Sequence, residues 1–175
     1  MMILHDEIIK NIKNDIVSFA ITETEKFLTE KSGEVFYAFA FDLNAAYGEV
    51  NLCFNTEEYF QKTLKYYQNQ SDNHVYHSNE EIKSLKYNTG DWEYQCFSTI
   101  YPIDETYLEQ LYHTSYKDGS YSHVLTKIIH IFSESLTLFK QTETYKKIPK
   151  TEDFIAFTID HDEDVEDALM RIGKY

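Results

Sequence analysis

VFYAFAFD at 35–42, the polar turn NAAYG at 44–48 and EVNLCFN at 49–55 decide the fold of this chain. In the first stretch Phe36, Ala38 and Ala40 alternate with Val35, Tyr37, Phe39 and Phe41, so both faces of an extended segment are apolar. A strand of that kind is central and covered on both sides. In the last stretch Val50, Leu52 and Phe54 alternate with Asn51, Cys53 and Asn55, the period of a second strand. The connection from Asn44 to Gly48 is too short for a parallel crossover, so the pair reads as an antiparallel hairpin.

Helical patterns surround the hairpin. Segment 6–29 places Ile8, Ile9, Ile12, Ile16, Phe19, Ala20 and Phe27 at helical spacing, with Asp6 as a cap. Thr56 followed by Glu57 and Glu58 starts a helix to about Gln68, a hydroxyl cap with acids in the first turn. The polar run 69–81 reads as an exposed connection, SLKYN at 84–88 as a third strand, 88–91 as a turn and 92–97 as a helical turn. Asp104 caps a helix over 105–113, and 122–141 is a second long amphipathic helix carrying Ile128, Phe132, Leu136 and Phe139. DFIAFTID at 153–160 reads as a strand and 163–172 as a short terminal helix. Strands and helices do not alternate strictly. The expectation is one α+β domain over 1–175, with a mainly antiparallel sheet built from hairpin 35–55 plus strands near 84–88 and 153–160, and helices packed on it.

At 175 residues and 42% apolar content the chain can bury a core without a metal or a disulfide. Its net charge of −14, from 30 acidic and 16 basic residues, argues against nucleic acid and an anionic membrane as partners and permits attraction to a basic protein. MMILHDEIIK at 1–10 lacks the basic start and long apolar run of a signal peptide, and no stretch nears a membrane span. Cys53 and Cys96 sit among apolar residues without a metal or redox motif and read as small hydrophobes, reduced in a cytoplasmic setting.

Chemistry-bearing motifs are weak. Asp160, Asp162 and Asp164 match the opening of a calcium loop, but Val165 stands where Gly is needed and Arg171 where Glu is needed. With Glu163 they make better sense as the acidic start of the last helix. His74 and His77 lack the further ligands of a zinc site, and His123 and His130 lie two turns apart on one helix. No G-x-S-x-G elbow and no glycine-rich phosphate loop occurs, so neither a catalytic residue nor a cofactor is expected. YNTGDWEY at 87–94 places Asp91, Trp92 and Tyr94 beside a turn. Such residues serve either as interface anchors or as a satellite cluster pinning a loop to the sheet, and the second reading is the preferred one.

FYAFA at 36–40, C-x-N-T-E-E at 53–58 and LKYNTGDWEY at 85–94, in that order and spacing, resemble the bacterial family known as domain of unknown function 4303. The resemblance runs from about Asp6 to Tyr175 and transfers no catalytic residue. By analogy with small acidic domains found beside polymorphic toxins, it implies an immunity-type protein, a non-catalytic module that neutralises a basic protein toxin. Candidate partner-binding residues are then Asp91, Trp92, Tyr94, Asp160, Asp162, Glu163 and Asp164. The alternative is a small-ligand protein or enzyme with a pocket near 55–58 and 91–94. Oligomeric state is open at this point.

Overall fold

The computed structural model describes residues 4–70 and 76–171. In chain order they form α1 (Asp6–Glu30), β1 (Phe36–Asn44), a 3-10 turn (Ala45–Tyr47), β2 (Glu49–Thr56), α2 (Glu57–Gln68) and α3 (Asn79–Tyr87). A second 3-10 turn (Thr89–Asp91), β3 (Tyr94–Ile100), α4 (Glu105–Asp118), α5 (Tyr121–Phe139), α6 (Glu143–Lys147), β4 (Lys150–Asp160) and α7 (Val165–Arg171) follow. His74 and position 172, the end of the expected terminal helix, lie outside the described residues.

The strands form one sheet in the order β3-β2-β1-β4. The α+β class stands, and β1 is the interior, fully covered strand its composition required. The hairpin is antiparallel, with Leu43 opposite Val50 and Asn44 opposite Glu49. Gly48 closes it at φ +65, where a Cβ would lie 3.0 Å from Leu108 Cδ2, so both backbone and space select glycine. β3 adds antiparallel to β2, but β4 pairs parallel to β1, with Ala40 opposite Phe157. The sheet is therefore mixed. The chain between β1 and β4 is long enough for the crossover that a hairpin-length loop forbids.

A β-bulge between Phe36 and Ala38 resets which side chains share a face. Phe36, Phe39 and Phe41 join Leu52, Phe54, α1 and α5 in the larger core, while Tyr37, Ala38 and Ala40 join Cys53, Phe60, Leu85, Trp92, Phe157 and Ala168 in the smaller one. Strict alternation from 35 to 41 therefore misassigned Phe36 and Tyr37, because a bulge inserts one residue into the period. The larger face centres on rings: Phe27 stacks on Phe97 at 4.2 Å and Phe36 lies 4.4 Å from Phe54. The smaller face is roofed by α2, α3 and α7.

Two segments differ from the sequence expectation. SLKYN is the end of helix α3, not a strand. Ser78 accepts from the Glu81 N–H at 3.2 Å, and the Glu81 carboxylate accepts from the Ser78 N–H at 3.0 Å. This capping box fixes the helix start inside what reads as a polar connection, and Leu85 is its buried anchor. Residues 94–97 belong to strand β3, not a helical turn. Their alternation is broken by a bulge opposite Cys53, between the Leu52–Ser98 and Phe54–Tyr94 pairs.

Thr56 caps α2 as expected, its Oγ1 accepting from the Tyr59 N–H at 3.2 Å. Replacing a hydroxyl cap by Ala costs about 1 kcal/mol. Thr56→Ala should lower the unfolding free energy by that amount, read as a lower urea midpoint at an unchanged denaturant slope; an unchanged midpoint would show the cap to be idle.

Candidate functional site

Tyr37, Lys86, Asn55 and Trp92 knit the smaller face together. The Tyr37 hydroxyl donates to the Lys86 carbonyl at 2.5 Å and accepts from Asn55 Nδ2 at 2.9 Å. Asn55 Oδ1 accepts the N–H groups of Thr56 at 3.0 Å and Glu93 at 3.2 Å. The Trp92 indole donates to the same Lys86 carbonyl at 3.0 Å. Lys86 Nζ reaches Glu57 at 3.1 Å and Asp153 at 3.4 Å, and lies 4.6 Å over the Tyr37 ring. Burial works against its charge, but the carboxylates of Glu57 and Asp153 more than offset this and raise its pKa.

This network removes Trp92 from the set of surface anchors. The indole is 1% exposed and packs against Tyr37 at 6.1 Å and Phe157 at 5.8 Å. The turn is pinned to the sheet by a buried ring, as the preferred reading held. Tyr94, two residues on, faces the opposite side. It lies edge-on to Phe27 at 5.0 Å, and its hydroxyl donates to Glu34 at 3.3 Å. Trp92 and Tyr94 therefore form no common patch.

The remaining candidates divide into structural and free acids. Asp160 Oδ1 accepts the Ala45 N–H at 3.0 Å, and burial raises its carboxyl pKa. Glu163 accepts the Asp160 N–H at 3.1 Å and pairs with Arg171. These two acids hold the β4–α7 corner. Asp162 and Asp164 are exposed. Asp164 faces a groove of about 430 Å³ between α3 and α7, shared with Glu80, Glu81, Glu166 and Asp167. Val165 and Leu169 supply its apolar lining, and Lys83 is the cation among its lining residues. Sequence reading missed Glu80, Glu81, Glu166 and Asp167, since two segments far apart in the chain make one concave surface only after folding. The S-x-x-E signal at 78–81 was the available clue that α3 exists.

Asp91 belongs to a second concavity of about 340 Å³, whose lining includes Tyr59, Lys62, Tyr66, Tyr67 and Gln95. The Tyr67 hydroxyl donates to Asp91 Oδ1 at 2.7 Å, and Asn88 Nδ2 donates to its Oδ2 at 2.6 Å. That carboxylate contact pushes the Tyr67 pKa up to about 12.

The family model described as Domain of unknown function (DUF4303) matches residues 16–174. The chain belongs to that family. No curated protein and no solved structure gives a significant match. Within the DUF4303 span fall both concave surfaces, the Tyr37–Asn55–Trp92 network and both cysteines. Among the described residues, no helix is long and apolar enough to cross a membrane.

Proposed function

We propose that this DUF4303 chain is a non-catalytic protein-binding module that captures a basic protein partner through the α3–α7 groove. The observation that carries the reading is the groove itself, where the carboxylates of Glu80, Glu81, Asp164, Glu166 and Asp167 surround apolar lining. It lies on a chain of net charge −14. Anionic rims accelerate association with cationic partners and set orientation, while apolar lining slows release. An immunity role, neutralising a basic toxin in the cytoplasm, is the biological form of this reading.

The test is co-expression with the product of the adjacent reading frame, scored by growth rescue and by association of the purified pair. Glu80→Lys combined with Asp167→Lys should slow association at least about tenfold at low salt and flatten its salt dependence. Glu109→Lys, on α4 across the sheet, should leave the rate unchanged. Equal rates for all three proteins would remove the groove from the interface. No binding and no rescue with the adjacent product would remove the immunity role.

The Asp91 concavity favours a second reading, a small ligand held between Tyr59, Tyr67 and Lys62. A ligand there would raise the melting temperature of the wild type and not that of Asp91→Ala.

A further inference from the structure

Sequence reading treated both cysteines as buried hydrophobes. In the structure Cys53 is buried on β2, whereas Cys96 on β3 is exposed. The two touch: the Cys96 N–H donates to Cys53 Sγ at 3.2 Å. The contact depends on the β3 bulge, where Cys96 adopts φ +49. A non-glycine residue in the left-handed region is strained and persists where its surroundings hold it. A bulge re-aims a side chain in the same way. Both devices act here on one residue and turn it toward Cys53.

Asp42 completes the cluster from β1. One ligand atom from each of Asp42, Cys53 and Cys96 lies within 4.8 Å of the others. The donors come from three adjacent strands of the sheet, so the hydrogen-bonded ladder sets the spacing of their backbones. Asp42 Oδ2 accepts from Thr89 Oγ1 at 2.6 Å, which orients the carboxylate and leaves its other oxygen available. The backbone N–H on Cys53 Sγ is the kind of outer contact that orients a thiolate ligand. The charged groups that act on Asp42 are of both signs, His161 on one side and Glu49 and Asp160 on the other.

We propose that Asp42, Cys53 and Cys96 bind one thiophilic divalent cation of the zinc class, with a fourth position open to solvent beside Cys96. Two sulfur donors select zinc, cadmium or cobalt over calcium and magnesium, which take oxygen. Zinc bonds to sulfur and oxygen place tetrahedral donors roughly 3.5 Å apart. Rotation of the exposed Cys96 side chain and a small shift of Asp42 bring the donors to that spacing. Binding is a displacement without redox change: each thiol releases its proton to solvent as its sulfur bonds the metal. A Cys53–Cys96 disulfide is the competing chemistry for the same sulfurs. It gives Asp42 no part, and the convergence of three donor strands favours the cation. The site shares no residue with the lining of the α3–α7 groove, so this inference stands apart from the partner-binding reading.

The test uses the full chain, reduced, freed of metal and titrated with Co²⁺ and then Zn²⁺. One equivalent of Co²⁺ should saturate a thiolate-to-cobalt charge-transfer absorption, and Zn²⁺ should abolish it by displacement. Cys96→Ser, at an exposed position that leaves the core intact, should weaken Zn²⁺ affinity by at least about tenfold, and Asp42→Asn should weaken it measurably. The proposal is overturned by a reduced wild type without the charge-transfer band. Cobalt bound equally by wild type and Cys96→Ser overturns it as well. So does a chain that forms the Cys53–Cys96 disulfide in air while showing no metal affinity when reduced.

Discussion

Trp92→Ala is expected to cost about 3–5 kcal/mol of folding stability, the range for removing a large buried aromatic side chain. The indole is the largest fully buried side chain. It fills the space between Tyr37, Phe157 and the α3 carboxyl end, which belong to different elements and cannot all collapse into the void. The Lys86 carbonyl keeps its bond from Tyr37, so the loss is mainly of packing. Trp92→Phe, which keeps a ring, should cost clearly less, about 1–2 kcal/mol. Urea unfolding at constant denaturant slope measures both. As the sole tryptophan, Trp92 also reports on itself. Native emission should be blue-shifted and shielded from an aqueous quencher. Red-shifted, freely quenched emission would return Trp92 to the surface and contradict the packing described here.

Asn55→Ala should cost about 2–4 kcal/mol of folding stability. The side chain is 1% exposed and serves the start of α2, the entrance to β3 and the Tyr37 hydroxyl at once. Truncation strands the N–H groups of Thr56 and Glu93 without an acceptor, and each buried unsatisfied group costs about 1–3 kcal/mol. Asn55→Asp separates the two functions. Protonated, it keeps an acceptor for the N–H groups and has an O–H to offer Tyr37 in place of the amide; ionised, it loses that donor and places a charge in a buried site. It should fall between wild type and Ala at low pH, and approach or exceed the Ala loss once the carboxyl ionises. A flat stability profile across the Asp titration range would show that water, rather than the protein, satisfies this junction.

Elements whose patterns obey one period were legible from the residues. Ile12, Ile16 and Ala20 mark the buried stripe of α1 by their spacing, while the run from Phe36 to Phe41 marks a doubly covered strand by its unbroken apolar composition. Thr56 with its two glutamates gave the start of α2 because the cap is local chemistry. Where a bulge inserts a residue, the period carries false information, and that explains both the swapped faces at Phe36–Tyr37 and the helical reading of 92–97. α3 was lost differently. Its surface is so polar that a single capping box outweighs composition, and SLKYN alone alternates well enough to pass for a strand. The direction of β4 relative to β1 is a tertiary choice written in neither segment. The same limit hid the functional surfaces. The groove joins acids near position 80 to acids near position 165, and the sulfur–carboxylate cluster joins positions 42, 53 and 96.

The parallel partnership of the hairpin with the penultimate element has a consequence for synthesis. A nascent chain emerging from the ribosome makes Phe36–Asn44 early, yet the backbone groups along one side of that strand find their mates only when Lys150–Asp160 has been made. Until then an aromatic border with Asp42 as its one acid is open to any passing extended peptide, the arrangement that drives aggregation. Closing it requires joining segments separated by more than half the chain, which slows folding. A premature stop or proteolytic cut ahead of position 150 therefore leaves an adhesive fragment, not a smaller working version of the molecule.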